Sequence, residues 1–141
     1  MATVYNAANV IVTVNGIAVE GFADGDFCAV ERNSDLATHT VGADGKMSLS
    51  VATDRTGKAT LITAKGGSAS ALLDSLRRKQ DEGDWAGFAF DVINVDSGST
   101  AASTKAWITT DAPFAFAIEA GNETWVLTLE NAQVERGELP G

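Results

Sequence analysis

Apolar and polar residues alternate along most of this chain. Val10, Val12 and Val14 fall on one face and Ile11 and Thr13 on the other, the period-two signature of a strand. Asn15-Gly16 follows, the strongest two-residue hairpin signal, and predicts a returning strand over residues 17–22. Ala23-Asp24-Gly25-Asp26 reads as a turn, residues 27–31 as a strand and residues 36–41 as another. After Gly42-Ala43-Asp44-Gly45, the residues Met47, Leu49 and Val51 alternate with Ser48, Ser50 and Ala52. Asp54-Arg55-Thr56-Gly57 turns the chain again, and Ala59, Leu61 and Thr63 continue the pattern with Ile62 on the opposite face. The centre of the chain is thus a meander of strands joined by Asp-Gly and Thr-Gly turns.

One segment changes period. Ala69, Leu72, Leu73 and Leu76 recur at i, i+3, i+4 and i+7, an apolar stripe that predicts a helix over about residues 68–82. Ser68, after Gly66-Gly67, is its predicted N-cap, Arg77, Arg78 and Lys79 suit the negative end of the helix dipole, and Gly83 is its stop. Alternation then resumes. Phe88, Phe90 and Val92 face one side, Ile93 and Val95 the other, and the small polar stretch 96–103 reads as an exposed loop. Strands are predicted over 106–110 and 114–118, a turn at Gly121-Asn122, and one last long strand over 124–135. Residues 137–141 read as a flexible or interface-docked end.

Eight to ten strands with one helix between the two halves imply a mainly β fold, an antiparallel barrel or sandwich with a flanking helix. At 141 residues the chain is long enough to bury one core, and the prediction is a single domain over 1–141. Hydrophobic residues are 45% and charged residues 21% of the sequence, an ordinary globular balance. No apolar run approaches the roughly 20 residues needed to span a bilayer, and Met1-Ala2-Thr3-Val4 lacks the basic start and apolar stretch of a signal peptide. Synthesis and retention in the cytoplasm until assembly are expected.

Charge narrows the function classes. A formal net charge of −9 disfavours tight binding to nucleic acid or to anionic membranes, both of which need basic surfaces. The single cysteine, Cys28, excludes an intramolecular disulfide, and its setting in Phe27-Cys28-Ala29-Val30 with acidic neighbours reads as a structural thiol.

Catalytic constellations are scarce. His39 is the only histidine, sits in a strand pattern, and has no second His or Cys with which to build a zinc site. The run 55–60 resembles a phosphate loop only superficially, since Ala59 and Ala52 occupy the positions that need Ser/Thr and Gly. Asp24-Gly25-Asp26 lacks the spaced oxygen ligands of a calcium loop. Asp81, Glu82 and Asp84 read as a solvated helix end, and Trp85, Trp107 and Trp125 as core or interface anchors, with a sugar-binding platform as the competing reading. No cofactor, no metal and no enzymatic activity are expected.

The Gly42-Ala43-Asp44-Gly45 turn, the alternating strand 47–52, the turn 54–57 and the strand 58–63 followed by a leucine-bearing helix resemble the tail-tube proteins of contractile-tailed bacteriophages and related prophage or tailocin particles. The N-terminal Asn15-Gly16 hairpin and the final long strand agree in order. The resemblance implies a ring-forming subunit: six copies join strands into one inner barrel, and rings stack into a tube inside a contractile sheath. It implies as partners the protein itself, a tail sheath, baseplate and tail-terminator proteins, with DNA passing through the lumen unbound, and a location in the virion tail. It also implies an arm over residues 35–58 that reaches neighbouring subunits, with Leu36, Val41, Asp44, Met47, Leu49, Asp54 and Arg55 at subunit interfaces. The acidic balance suggests a lumen that repels phosphates. A type VI secretion or tailocin tube remains a parallel reading, and a carbohydrate-binding β-sandwich is the reading from a different class.

Overall fold

The computed structural model describes residues 10–20, 27–113 and 121–138. Within them the chain forms ten strands and one helix. The first hairpin joins β1 (Val10–Val14) to β2 (Ile17–Val19). Its Asn15 and Gly16 both take positive φ, 54° and 78°, the combination a two-residue type I′ turn demands. β2 is shorter than the pattern predicts, and residues 21–22 and the predicted turn over 23–26 lie outside the described residues.

The main sheet has eight strands, ordered β2-β1-β7-β8-β9-β6-β3, with every pairing antiparallel. Here β3 is Cys28–Arg32, β6 Gly57–Ala64, β7 Phe88–Asn94, β8 Thr100–Thr110 and β9 Asn122–Leu129, and the short β10 (Gln133–Glu135) pairs with the start of β8. Val12 and Val14 of β1 share one buried core with Ala59 and Leu61 of β6, far away in strand order, so the sheet curls over its own apolar face. Phe90, Leu127, Leu129 and Trp125 fill the same core. Alternation decides this: in β6 the pattern of buried Gly57, Ala59, Leu61 and Thr63 against the exposed or partly exposed even positions sends one residue in two inward. Gly57 is where the backbones crowd most. A Cβ there would collide with the Ala132 side chain and lie 2.9 Å from the Glu31 carbonyl oxygen.

The helix α1 (Ser68–Asp81) packs on β6 and β8 with Ala69, Leu73, Leu76 and Gln80 buried. The predicted stripe is correct, but the predicted cap is not. Gly67 is the N-cap and gives no side-chain bond. Ser68 lies inside the helix, and its Oγ donates instead to the Glu20 carbonyl at 2.9 Å. The Ala69 amide donates to that same carbonyl, so the helix start is tied to the end of β2 rather than capped by its own sequence.

Two other expectations are corrected. The stretch 96–103 is not wholly an exposed loop: β8 begins at Thr100, and Ala101 and Ser103 are buried. The last long strand is interrupted at 130–132, giving β9 and β10, which pair with successive halves of the 11-residue β8. Gly121 precedes β9, which begins at Asn122 itself, and the strand predicted over 114–118 lies outside the described residues, as does the end of the chain from 139.

Candidate functional site

Between β3 and β6 the chain leaves the main sheet and makes a separate two-stranded ribbon, β4 (Ala37–Val41) with β5 (Met47–Val51). Every residue of both strands is exposed, so the ribbon stands clear of the core on both faces. Five residues of strand make it about 17 Å long. Its turn is local chemistry. The Asp44 carboxylate accepts from the Lys46 amide at 3.0 Å, Gly45 takes φ 81°, and the Gly42 amide donates to the Lys46 carbonyl.

The register gives the ribbon two unlike faces. Ala37 lies opposite Val51, His39 opposite Leu49 and Val41 opposite Met47. Cross-strand partners share a face, so these six form one apolar surface with the chain's only histidine at its centre. The intervening pairs, Thr38 with Ser50 and Thr40 with Ser48, make the other face entirely of hydroxyls. Val41, Met47, Leu49 and Val51 are between 60 and 69% exposed, as is Leu36 beside them. An uncovered row of large aliphatic side chains is uncommon on a chain that stands alone.

The interface residues expected from the sequence therefore divide. Val41, Met47 and Leu49 share the apolar face. Leu36 sits at the ribbon's root, where its carbonyl accepts from the Ala52 amide. Asp44 and Asp54 spend carboxylate oxygens on local turns. Asp54 Oδ1 accepts from the Thr56 hydroxyl at 2.6 Å and amide at 2.9 Å. The Thr56 hydroxyl chiefly, with its amide and smaller help from Ser34 and Arg32, holds this acid below the ordinary carboxylate range. The Arg55 carbonyl accepts from the Ala132 amide, and the residue lines a groove. Val51, Ala37 and His39 belong to the same apolar face, beyond the interface residues expected from the sequence. Period-two parity across the Asp44-Gly45 turn is the signal that finds them.

The groove at the ribbon's root has a volume of about 870 Å³. Val30, Leu36, Ala132 and Val134 are its apolar lining residues and Arg32, Arg55 and Arg136 its basic ones. Glu31 and Glu135 also border it, and Glu31 is engaged by Lys58 at 3.3 Å. The Arg32 Nε is buried with no hydrogen-bond partner among the described residues.

The remaining candidates lie apart from the ribbon. Trp125 is buried in the core, so the three tryptophans do not form one platform. Trp107 Nε1 donates to the Trp85 carbonyl at 2.9 Å, and Trp85 is exposed. Burial pushes the Cys28 thiol up to about 11, the opposite of a reactive cysteine. Asp81 pairs with Arg77 at 2.6 Å, and Asp84 accepts from the Ala86 amide at 3.2 Å. Among the described residues no group of three or more His, Cys, Asp or Glu side chains could hold a metal ion, and no helix is long and apolar enough to cross a membrane.

No protein-family model matches the sequence, and no curated protein matches it significantly. Solved structures do. A chain of the anti-feeding prophage cap, the tube-terminating cap, superposes with a TM-score of 0.64 at 13% identity, covering 97% of this chain and 95% of that one. A chain of the extended sheath–tube complex of an extracellular contractile injection system gives 0.63 at 12%, covering 93% and 90%. A chain of the native gene transfer agent virion gives 0.62 at 10%, covering 96% and 100%. The curled antiparallel sheet with one flanking helix is thus the fold found in these contractile-injection and gene-transfer particles, as the tail-tube resemblance implied.

Proposed function

We propose that this chain is a non-enzymatic structural subunit of a contractile phage-like tail or injection particle, and that copies of it build the inner tube. Two observations support the reading. Its fold agrees over more than nine-tenths of its length with chains from particles named for their tubes, caps and sheaths. It also carries a ribbon whose apolar face nothing among the described residues covers. The second carries more weight, because a fold alone does not fix a function.

In this reading six copies close a ring, rings stack, and the ribbon over residues 35–58 is the arm that reaches the next copy. Leu36, Val41, Met47 and Leu49 contact that copy directly, with Asp44, Asp54 and Arg55 shaping the arm's tip and root. The edge strands β2 and β3, which do not pair with each other among the described residues, continue the sheet into neighbours. The tube's other partners are a sheath, a baseplate and a terminator, and its place is the particle's tail. DNA or another cargo passes through the channel without specific binding, helped by the net charge of −9.

A tube-terminating cap is the second reading, favoured by the similarity to the anti-feeding prophage cap. A tailocin or secretion tube shares the same ring logic. The carbohydrate-binding alternative loses its platform with Trp125 in the core. Light scattering after size-exclusion chromatography tests the ring: a species of six subunit masses supports it, and a dimer or trimer at every concentration removes it.

A further inference from the structure

The chain has five arginines, and they fall into two groups. Arg77 and Arg78 lie on α1 and are paired, Arg77 with Asp74 at 3.0 Å and Asp81 at 2.6 Å, and Arg78 with Asp74 at 3.1 Å. Arg32, Arg55 and Arg136 all line the groove at the ribbon's root. Among the described residues none of these three side chains has an ion pair or a hydrogen bond.

Acids stand close by without pairing to them. Glu31 and Glu135 border the same groove, yet Glu31 is bonded to Lys58 at 3.3 Å and Glu135 to no arginine. Asp54 feels the charge of Arg32 but spends its Oδ1 on Thr56. With every one of them counted, Arg32, Arg55, Arg136 and Lys58 stand against Glu31, Glu135 and Asp54, four bases to three acids. Over the whole chain the acids outnumber the bases nineteen to ten. The groove reverses that balance, and its arginines lack partners in a sequence rich in carboxylates.

The three come from separate segments that the backbone ties together. Arg32 ends β3 and lies opposite Gly57 of β6, and the next residue, Asn33, donates from its amide to the Thr56 carbonyl at 3.1 Å. The Arg55 carbonyl accepts from the Ala132 amide at 2.9 Å, which fastens that loop to the turn before β10, and Arg136 follows β10 directly. The positions are therefore set before any ligand arrives, which lowers the ordering cost of binding. Arg32 is partly buried, and its Nε lacks an acceptor among the described residues, an arrangement that costs stability until an acceptor is supplied. Guanidinium groups match the planar, bidentate geometry of carboxylate and phosphate oxygens, which an ammonium does not.

We infer that this groove binds a small molecule bearing a multiply charged oxyanion, phosphate or carboxylate, through Arg32, Arg55 and Arg136. At about 870 Å³ it is far larger than one phosphate group needs and lies within the roughly 300–1,000 Å³ of small-molecule sites. Asn131 and Gln133 bring amide donors and acceptors to it, and Val30 and Val134 an apolar surface for an organic body. Glu135 sets a limit, since it repels an anion that extends to its side of the groove. The site stands apart from the tube reading and does not rest on it.

Isothermal titration calorimetry of the full chain at pH 7.5 tests this, with pyrophosphate and citrate as separate probes and sodium chloride holding the ionic strength constant. One saturable site per chain is expected, and the tighter of the two probes tells phosphate from carboxylate. Arg55→Gln and Arg136→Gln, both at exposed positions, should each weaken binding at least tenfold, as should Arg32→Gln if circular dichroism shows it folded. Arg78→Gln, which removes the same charge from α1, should stay within twofold of the wild type. The absence of saturable binding with both probes would overturn the assignment. So would an equal loss in Arg78→Gln, which would mean that the anions respond to overall charge and not to this groove.

Discussion

The carboxamide of Gln80 pairs with the backbone of Ile108 as an additional strand residue would. Its Nε2 donates to the Ile108 carbonyl at 2.9 Å, and its Oε1 accepts from the Ile108 amide at 2.9 Å. The pair lies just past Phe88↔Ala106, the last register point between β7 and β8. On that side β8 has lost β7 as its neighbour, though β9 still pairs with it on the other, and the helix supplies the missing hydrogen bonds. Gln80→Leu keeps the bulk but orphans a buried N–H and C=O. At about 1–3 kcal/mol for each unsatisfied group, the variant should lose at least about 2 kcal/mol in urea unfolding. A loss below half of that would mean that water reaches Ile108.

Gly57 is required by space rather than by backbone angle. β6 is paired there on both sides, with Arg32 and with Leu129, and Ala132 presses from above. Gly57→Ala should destabilise by about 1–3 kcal/mol, the usual cost of overpacking, read as a drop in the urea midpoint. Gly45→Ala should leave the core's stability alone, because the ribbon contributes nothing to it.

Much of this architecture is legible in the residues, and the exceptions have physical causes. Asn15-Gly16 announces its turn because few other dipeptides accept two positive φ angles. The stripe from Ala69 to Leu76 announces its helix by period alone. The start of β8 is hidden because Ala101, Ala102 and Ser103 are too small to alternate in hydropathy, although Ala101 and Ser103 are buried where β7 and β10 flank the strand. Ser68 misleads because a hydroxyl near a helix start can serve a distant carbonyl, and Glu20 lies 48 positions away. The ribbon's strands are readable individually. Its two-faced character needs the register, which only the turn geometry sets.

Cys28 should resist thiol reagents. Burial pushes its pKa up to about 11, so at pH 8 almost none is thiolate. Labelling with a disulfide-exchange reagent should be at least tenfold slower in the native chain than in denaturant, and equal rates would show that β3 opens freely. The sign of the linkage follows: the folded chain favours the neutral thiol, so stability falls as the pH rises from the ordinary thiol range towards 11.

Asp54 titrates in the opposite sense. Its depressed folded pKa means that its contribution is present above the ordinary carboxylate range and lost as the pH falls through the lowered value. The Thr56 amide should keep its exchange protection at pH 4 and lose it in stronger acid. Asp54→Ala should remove that protection at every pH.

The arm over residues 35–58 should change its protease sensitivity on assembly. Its strands are exposed on both faces in the single chain, so cleavage there should be fast before association and at least tenfold slower afterwards. Equal rates would place the arm outside the contact.

The central claim is that copies of this chain build a hollow tube. Negative-stain electron microscopy of the purified protein over a concentration series tests it most directly. Rings or stacked tubes with an open central channel are predicted. Single subunits or channel-less particles at every concentration would contradict it.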